Sequence, residues 1–199
     1  MAMISRLKMT LAVCVALAPV MIPIVGGAQD AVAPAATPAA PLTKETAAVG
    51  QIYVASKSDP WETRCTKTDG AKDPCQLFQL LRDEKGGAVA EVNLFGVLPG
   101  GKAAAGAAVV APLETLLSTG VVIQIDDKEP KVYPFAFCNS YGCVSRIGFT
   151  AEELDQLKAG KAATVTIVPA AAPDNKVALA LSLSGFTAGF ETVAATLTP

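Results

Sequence analysis

From about residue 48 onward the chain alternates between short apolar runs and clusters of turn-forming residues. Residues 51–54 make the first run, ended by Lys57-Ser58-Asp59-Pro60. Residues 61–67 alternate, with Trp61, Thr63 and Cys65 on one side and Glu62, Arg64 and Thr66 on the other. That period of two predicts a half-buried strand. Residues 75–82 and 88–98 are two longer runs around Asp83-Glu84-Lys85-Gly86-Gly87, which predicts a hairpin. Residues 121–126 turn at Asp127-Lys128-Glu129-Pro130 and resume as 132–137, and 162–168 pairs with 177–183 around Ala172-Pro173-Asp174-Asn175-Lys176. Helix signals are few. Thr150 and Glu153 stand at the spacing of a capping box, Leu154 and Leu157 follow at helical spacing, and Gly160 offers a stop. Phe186, Phe190 and Leu197 suit the buried face of a last helix after Gly185. Many short strands with turn signals between them predict an antiparallel β-sandwich or barrel-like single domain with one or two short helices.

The N-terminal part reads differently. Arg6 and Lys8 precede an uncharged apolar run at 11–25, and Gly26-Gly27-Ala28 supplies the small residues of a cleavage site. This is the pattern of a secretory signal peptide over 1–28. Pro19 and Pro23 interrupt the run, against an uncleaved membrane anchor, and Cys14 lacks the apolar stretch that would precede a lipid-modified cysteine. Residues 29–47 are dominated by Ala and Pro, with too little apolar area to offset ordering, and read as an extended tether. Residues 48–199 are the folding unit. A chain with this leader is expected in the periplasm, at the cell surface or secreted, with no integral membrane domain once the leader is removed.

Composition sharpens that picture. Of 199 residues 16 are basic and 18 acidic, with no basic block, which argues against a nucleic-acid partner. Histidine is absent, which excludes Ser-His-Asp and Cys-His catalysis and histidine zinc sites. Loss of the leader removes Cys14 and leaves Cys65, Cys75, Cys138 and Cys143. An even number of cysteines in an exported chain predicts two disulfides. Local pairing, Cys65–Cys75 and Cys138–Cys143, is preferred among the three connectivities, because each pair encloses a turn. Neither pair is Cys-x-x-Cys, so the bridges read as structural, not redox-active.

Three patterns imitate chemistry. The stretch from Gly96 to Lys102 has the G-x-x-x-x-G-K frame of a phosphate loop, but Ala103 stands where a magnesium-binding Ser or Thr belongs and Pro99 removes an amide. Asp126-Asp127-Lys128-Glu129 lacks the alternate spacing of a calcium loop and reads as a hairpin turn. Tyr53, Trp61, Phe135, Phe137 and Phe149 fall in or beside strands and read as core. No catalytic, cofactor or metal residues are assigned. Tyr141, with Asn139 and Ser140, lies inside the small cysteine loop and is the candidate for partner contact.

The order of several short segments carries a resemblance. Trp61 with Cys65, Cys75-Gln76-Leu77 with Gln79, residues 111–117 with Gly120, and Ile125-Asp126 come first. Pro134-Phe135 through Cys138, Gly142-Cys143, residues 154–158 with Gly160, and Ser182-Leu183-Ser184-Gly185-Phe186 follow. The string resembles the invasion-associated locus B family of exported alphaproteobacterial proteins, with Glu114 a departure where the family favours Gly. The resemblance implies a compact β-rich fold, a periplasmic or surface location and, in pathogenic members, a part in entering host cells, notably erythrocytes. It supplies no catalytic residues. The expected function is a non-enzymatic binding protein whose partner is a protein, an envelope component or a host-surface component. The alternatives are a periplasmic carboxylate-dependent enzyme acting on envelope glycan and a structural envelope protein.

Overall fold

The computed structural model describes residues 40–97 and 100–197. The expected leader and most of the expected tether lie outside the described residues. The chain forms β1 (Ile52–Ser58), β2 (Trp61–Thr66), β3 (Cys75–Arg82), β4 (Ala88–Phe95) and β5 (Ala105–Ala111) in succession. A short 3-10 turn at Leu117–Thr119 leads into β6 (Val121–Ile125), β7 (Lys131–Tyr133), β8 (Phe135–Asn139) and β9 (Gly142–Phe149). Helix α1 (Ala151–Ala159), β10 (Ala162–Ile167), β11 (Val177–Ser182) and helix α2 (Phe186–Ala194) complete the described fold.

The strands are antiparallel and make two sheets. One has seven strands in the order β1-β2-β3-β4-β5-β9-β8, the other four in the order β11-β10-β6-β7. Neither sheet closes on itself, so of the two expected architectures the molecule takes the sandwich-like one. Inward residues of the large sheet (Leu77, Leu81, Val92, Leu94, Val109, Ile147) meet Val121, Val165 and Leu179 of the small one in a single buried cluster. Full burial of each such side chain contributes roughly 1.5–3 kcal/mol. Helix α2 covers the part of the large sheet that four strands cannot reach. Its Phe186 and Phe190 rings stack 5.7 Å apart, and Phe186 lies 5.8 Å from the buried Trp61 ring. The helix uses Val193 as its third buried position, where the pattern suggested Leu197, which is only half-buried.

Polar groups buried between the layers are paired in specific ways. The Gln79 amide donates to the Ser182 carbonyl at 3.1 Å and accepts from the Ser182 N–H at 2.9 Å. One side chain of β3 thus reproduces a ladder bond to β11 and ties the two sheets together. The fully buried Ser145 hydroxyl donates to the Pro134 carbonyl at 2.9 Å. Pro134 breaks the expected run 132–137 into β7 and β8, one in each sheet, because proline cannot supply the ladder N–H.

Residues 42–47, within the expected tether, pack on the domain. Residues 43–46 form a hydrogen-bonded turn, Val54 N–H donates to the Leu42 carbonyl, and Ala47 packs on Tyr53 and Cys65. Strands β5 and β9 have no counterpart in the predicted pattern, since AGAAVVA and GCVSRIGF show no clean alternation of apolar and polar residues.

Helix α1 begins at the expected capping box. Thr150 N–H donates to Glu153 Oε2 at 2.7 Å and Glu153 N–H donates to Thr150 Oγ1 at 3.2 Å. It stops at Gly160 as expected, without a left-handed turn. The φ there is −73°, and a Cβ would press on Leu183, Ile125 and the Gln156 carbonyl. The other oxygen of Glu153 accepts from Lys131 Nζ and Tyr133 Oη, both at 2.9 Å. Burial alone would raise this carboxyl, but the bonds from Thr150, Lys131 and Tyr133 outweigh it and hold it down at about 2.

A carboxyl depressed on folding stabilises the protein above its unfolded pKa, and that contribution is lost as pH falls through the folded pKa. Glu153→Gln keeps the shape of the capping box and removes the charge. We expect thermal melts between pH 5 and pH 2 to show a flatter loss of Tm for this variant than for the parent. The parent's charge-dependent contribution at neutral pH is on the order of 2–3 kcal/mol.

Candidate functional site

The β8–β9 hairpin is built around its cysteines. Cys138 and Cys143 face each other across the two strands with Cα atoms 4.0 Å apart and are bonded. That separation suits a directly opposed antiparallel pair and lies inside the reach of a disulfide. Within the closed loop, Asn139 Oδ1 accepts from the N–H groups of Tyr141 at 2.9 Å and Gly142 at 3.2 Å. Asparagine folds its own turn in this way. Gly142 is required by close approach, since a Cβ there would collide with the Ala111 carbonyl and Val110 of β5. The bridge, the Asn139 turn and the seat on β5 brace the tip from three directions.

The side chain so presented is Tyr141, which is 89% exposed. It overhangs a shallow recess of about 180 Å³ lined by Leu80, Ala88, Glu91, Val110 and Pro112. Asn139 and Ser140 are exposed beside it. The structure therefore brings the three expected contact residues together on one rigid tip. Phe137 departs from expectation. It was expected in the core, yet it is 42% exposed, with the Arg146 guanidinium 5.2 Å from its ring. The cause is a register shift between Phe135 and Phe137: Phe135 pairs with the inward Ser145 and Phe137 with the outward Val144. A bulge turns two same-face positions into opposite-face ones, and no period-two reading anticipates it. Tyr53, Trp61 and Phe149 are buried as expected and Phe135 is half-buried.

The second bridge, Cys65–Cys75, closes the neck of the loop 67–74 between β2 and β3, again with Cα atoms 4.0 Å apart. Asp73 organises this loop. It accepts from Thr68 N–H at 2.8 Å, Thr68 Oγ1 at 3.0 Å and Tyr53 Oη at 2.8 Å, with Lys67 Nζ at 3.9 Å. These bonds, led by the Thr68 N–H, hold the Asp73 carboxyl down at about 2, and burial with the Asp73 contact pushes Tyr53 up to about 12. An open cleft of about 610 Å³ lies alongside, lined by Lys44, Glu45, Tyr53, Asp73 and Thr196. The two carboxylates held lowest, Asp73 and Glu153, thus both spend their oxygens on structural donors.

The sequence patterns that imitate other chemistry take structural places. Of the G-x-x-x-x-G-K frame, residues 98 and 99 lie outside the described residues, and residues 100–102 lead into strand β5 and not into a helix. Asp126 begins the turn between β6 and β7, and its carboxylate accepts from the N–H groups of Lys161 and Ala162 at 3.0–3.2 Å. Among the described residues no group of three or more Cys, Asp or Glu could hold a metal ion. Among the same residues no helix is long and apolar enough to cross a membrane.

A family model described as Invasion associated locus B (IalB) protein matches residues 61–194. The chain is 33% identical over 79 residues to Invasion protein B homologs from two strains of Brucella abortus, 2308 and biovar 1 strain 9-941. Each of these matches covers 40% of this chain and 45% of the relative's length, so the chain spans less than half of the curated relatives it matches. The crystal structure of invasion associated protein B from Bartonella henselae superposes with a TM-score of 0.58 at 21% identity. That match covers 70% of this chain and 95% of the other, and establishes the shared fold.

The loop-entropy model gives about 2 kcal/mol for the Cys138–Cys143 bridge and about 3 kcal/mol for Cys65–Cys75. Replacing both Cys138 and Cys143 by Ser is expected to lower unfolding free energy by about that smaller amount. The same change should raise amide exchange selectively at residues 137–145. Equal exchange with and without the bridge would show that the Asn139 turn alone holds the tip.

Proposed function

This chain belongs to the invasion associated locus B family, and from that premise we propose that it is an exported, non-enzymatic binding protein of the bacterial envelope. The observation that carries this reading is Tyr141, a large side chain almost wholly exposed on a tip braced from three directions. Exposing an aromatic ring forgoes its burial energy, and bracing it lowers the entropy lost when a partner covers it. Tyrosine joins a broad apolar face to one polar atom, the composition common in binding hot spots. Asn139 and Ser140 add polar groups at the rim. The partner class is a protein or an envelope or host-surface component, and the names of the relatives associate the family with invasion. A periplasmic or surface location agrees with the leader pattern at 1–28 and with two disulfides. A carboxylate-dependent enzyme has less support, because Asp73 and Glu153 already accept three or more bonds each.

Two measurements test this proposal. A photo-reactive residue placed at position 141 in living cells should give discrete adducts, and the same probe at the exposed Asp174 should not. Tyr141→Ala should lose at least ten-fold in affinity for the partner so identified, with Tm unchanged. Identical adducts from both positions, or none, would count against the tip as a contact. For export, mass spectrometry of the protein from the periplasmic fraction should show a chain beginning at Gln29 with no free thiol; an intact Met1 would refute the cleavage.

A further inference from the structure

Strand β5 is apolar on both faces. Its inward residues Ala105, Ala107, Val109 and Ala111 belong to the core, and its outward residues Gly106, Ala108 and Val110 carry no polar side-chain atom either. A strand with one face in water ordinarily alternates apolar with polar residues, and one apolar on both faces is the mark of cover on both sides. Here α2 and the small sheet pack on the inner face. On the outer one the cover is side chains of the same sheet, with the Phe95 ring over Gly106 and Arg146 against Phe137, and Val110 is left half-buried.

The pairing register maps that outer face. Val110 pairs on one side with Glu91 of β4, which is next to Leu80 of β3. On the other side Val110 pairs with Val144 of β9, which is next to Phe137 of β8. One pleat along, Ala108 sits between Asn93 and Arg146. Strand β5 is thus the midline of five strands, with an acid on one flank and a base on the other. Neither Glu91 nor Arg146 forms an ion pair with a described residue of its own chain; Arg146 lies only against the Phe137 ring.

We propose that this face is covered by a second copy of the same chain, in a homodimer whose two-fold axis runs along β5. Such an axis lays β4 of each copy over β9 of the other and β3 over β8. Glu91 of each copy then comes beside Arg146 of the other, offset by one pleat, while Leu80 faces Phe137 and Val110 faces Val110. The Glu91–Arg146 and Leu80–Phe137 contacts are each made twice and the Val110–Val110 contact once, on the axis, as an isologous interface demands. Sheets packed face to face stand about 10 Å apart, a gap that these side chains fill. The alternative two-fold axis, across the strands, lays β4 on β4 and β9 on β9 and sets like charges together, which disfavours it. The charge pattern therefore selects both the occupant and its orientation. Tyr141 overhangs the recess that holds Leu80, Glu91 and Val110, so the hairpin tip borders this interface. The readouts stay distinct: a probe at 141 that yields only adducts of twice the chain mass reports the dimer, and any other adduct mass reports a different partner.

The test is sedimentation velocity on the purified protein over a range of concentrations, with circular dichroism to verify folding of each variant. The parent should sediment as a dimer. Val110→Lys, Glu91→Arg and Arg146→Glu should each weaken dimerisation at least ten-fold. The double variant E91R/R146E should recover it. An equimolar mixture of the E91R and R146E single variants should also dimerise, although neither does alone. A parent that is monomeric at every concentration would overturn the proposal and leave the face to a different partner. A dimer that Val110→Lys leaves intact, or single variants that neither mixing nor combination rescues, would overturn it as well.

Discussion

The width of the large sheet is the constraint on which the rest of this structure depends. Seven strands at about 4.8 Å each present an inner face nearly twice as wide as four strands can cover. Apolar residues line that face from Trp61 on β2 to Ile147 on β9, so the uncovered part has to be closed by something else. Helix α2 does this, with Phe190 stacked on Phe186 and Phe186 tilted against Trp61 in the same buried cluster as Leu77. Gln79 stands at the seam, where its amide replaces the ladder bond that the two separate sheets cannot share. Among the described residues the buried indole N–H of Trp61 has no hydrogen-bond partner, and its ring packs against Phe186.

With the inner face closed, rigidity moves outward to the turns. Both disulfides join directly opposed residues of neighbouring strands, so each locks a hairpin and neither crosses between sheets. At the β2–β3 neck the bridge works with Asp73, whose bonds to Thr68 and Tyr53 fill the loop. At the β8–β9 tip it works with Asn139, whose turn leaves the Tyr141 ring in solvent. The two bridges share one geometry and differ in consequence: one closes a loop over polar contacts, the other holds an aromatic outward.

Much of this was legible in the residues. Alternation at 61–67 and the apolar run at 75–82 gave strands with nearly their observed limits, because β2 buries one face and β3 is bounded by turn residues on both sides. The Thr150–Glu153 capping box is a local rule that tertiary packing did not disturb. Local cysteine pairing followed from spacing, since a chain that doubles back within ten residues brings its ends together. The illegible parts share a cause. Strand β5 lacks polar positions and β9 lacks alternation, so periodicity had nothing to register. Phe137 changed face through a bulge that depends on how β8 meets β9.

By itself the sequence determined the β class, two bridges with local pairing preferred, and the small cysteine loop that holds Tyr141, because hydrophobic period, turn chemistry and cysteine spacing are local properties. Only the tertiary structure decided that the strands divide seven and four, that Pro134 carries the chain from one sheet to the other, and that Glu91 and Arg146 flank a common apolar midline. Those are properties of strand order and register, which depend on partners far apart in the chain.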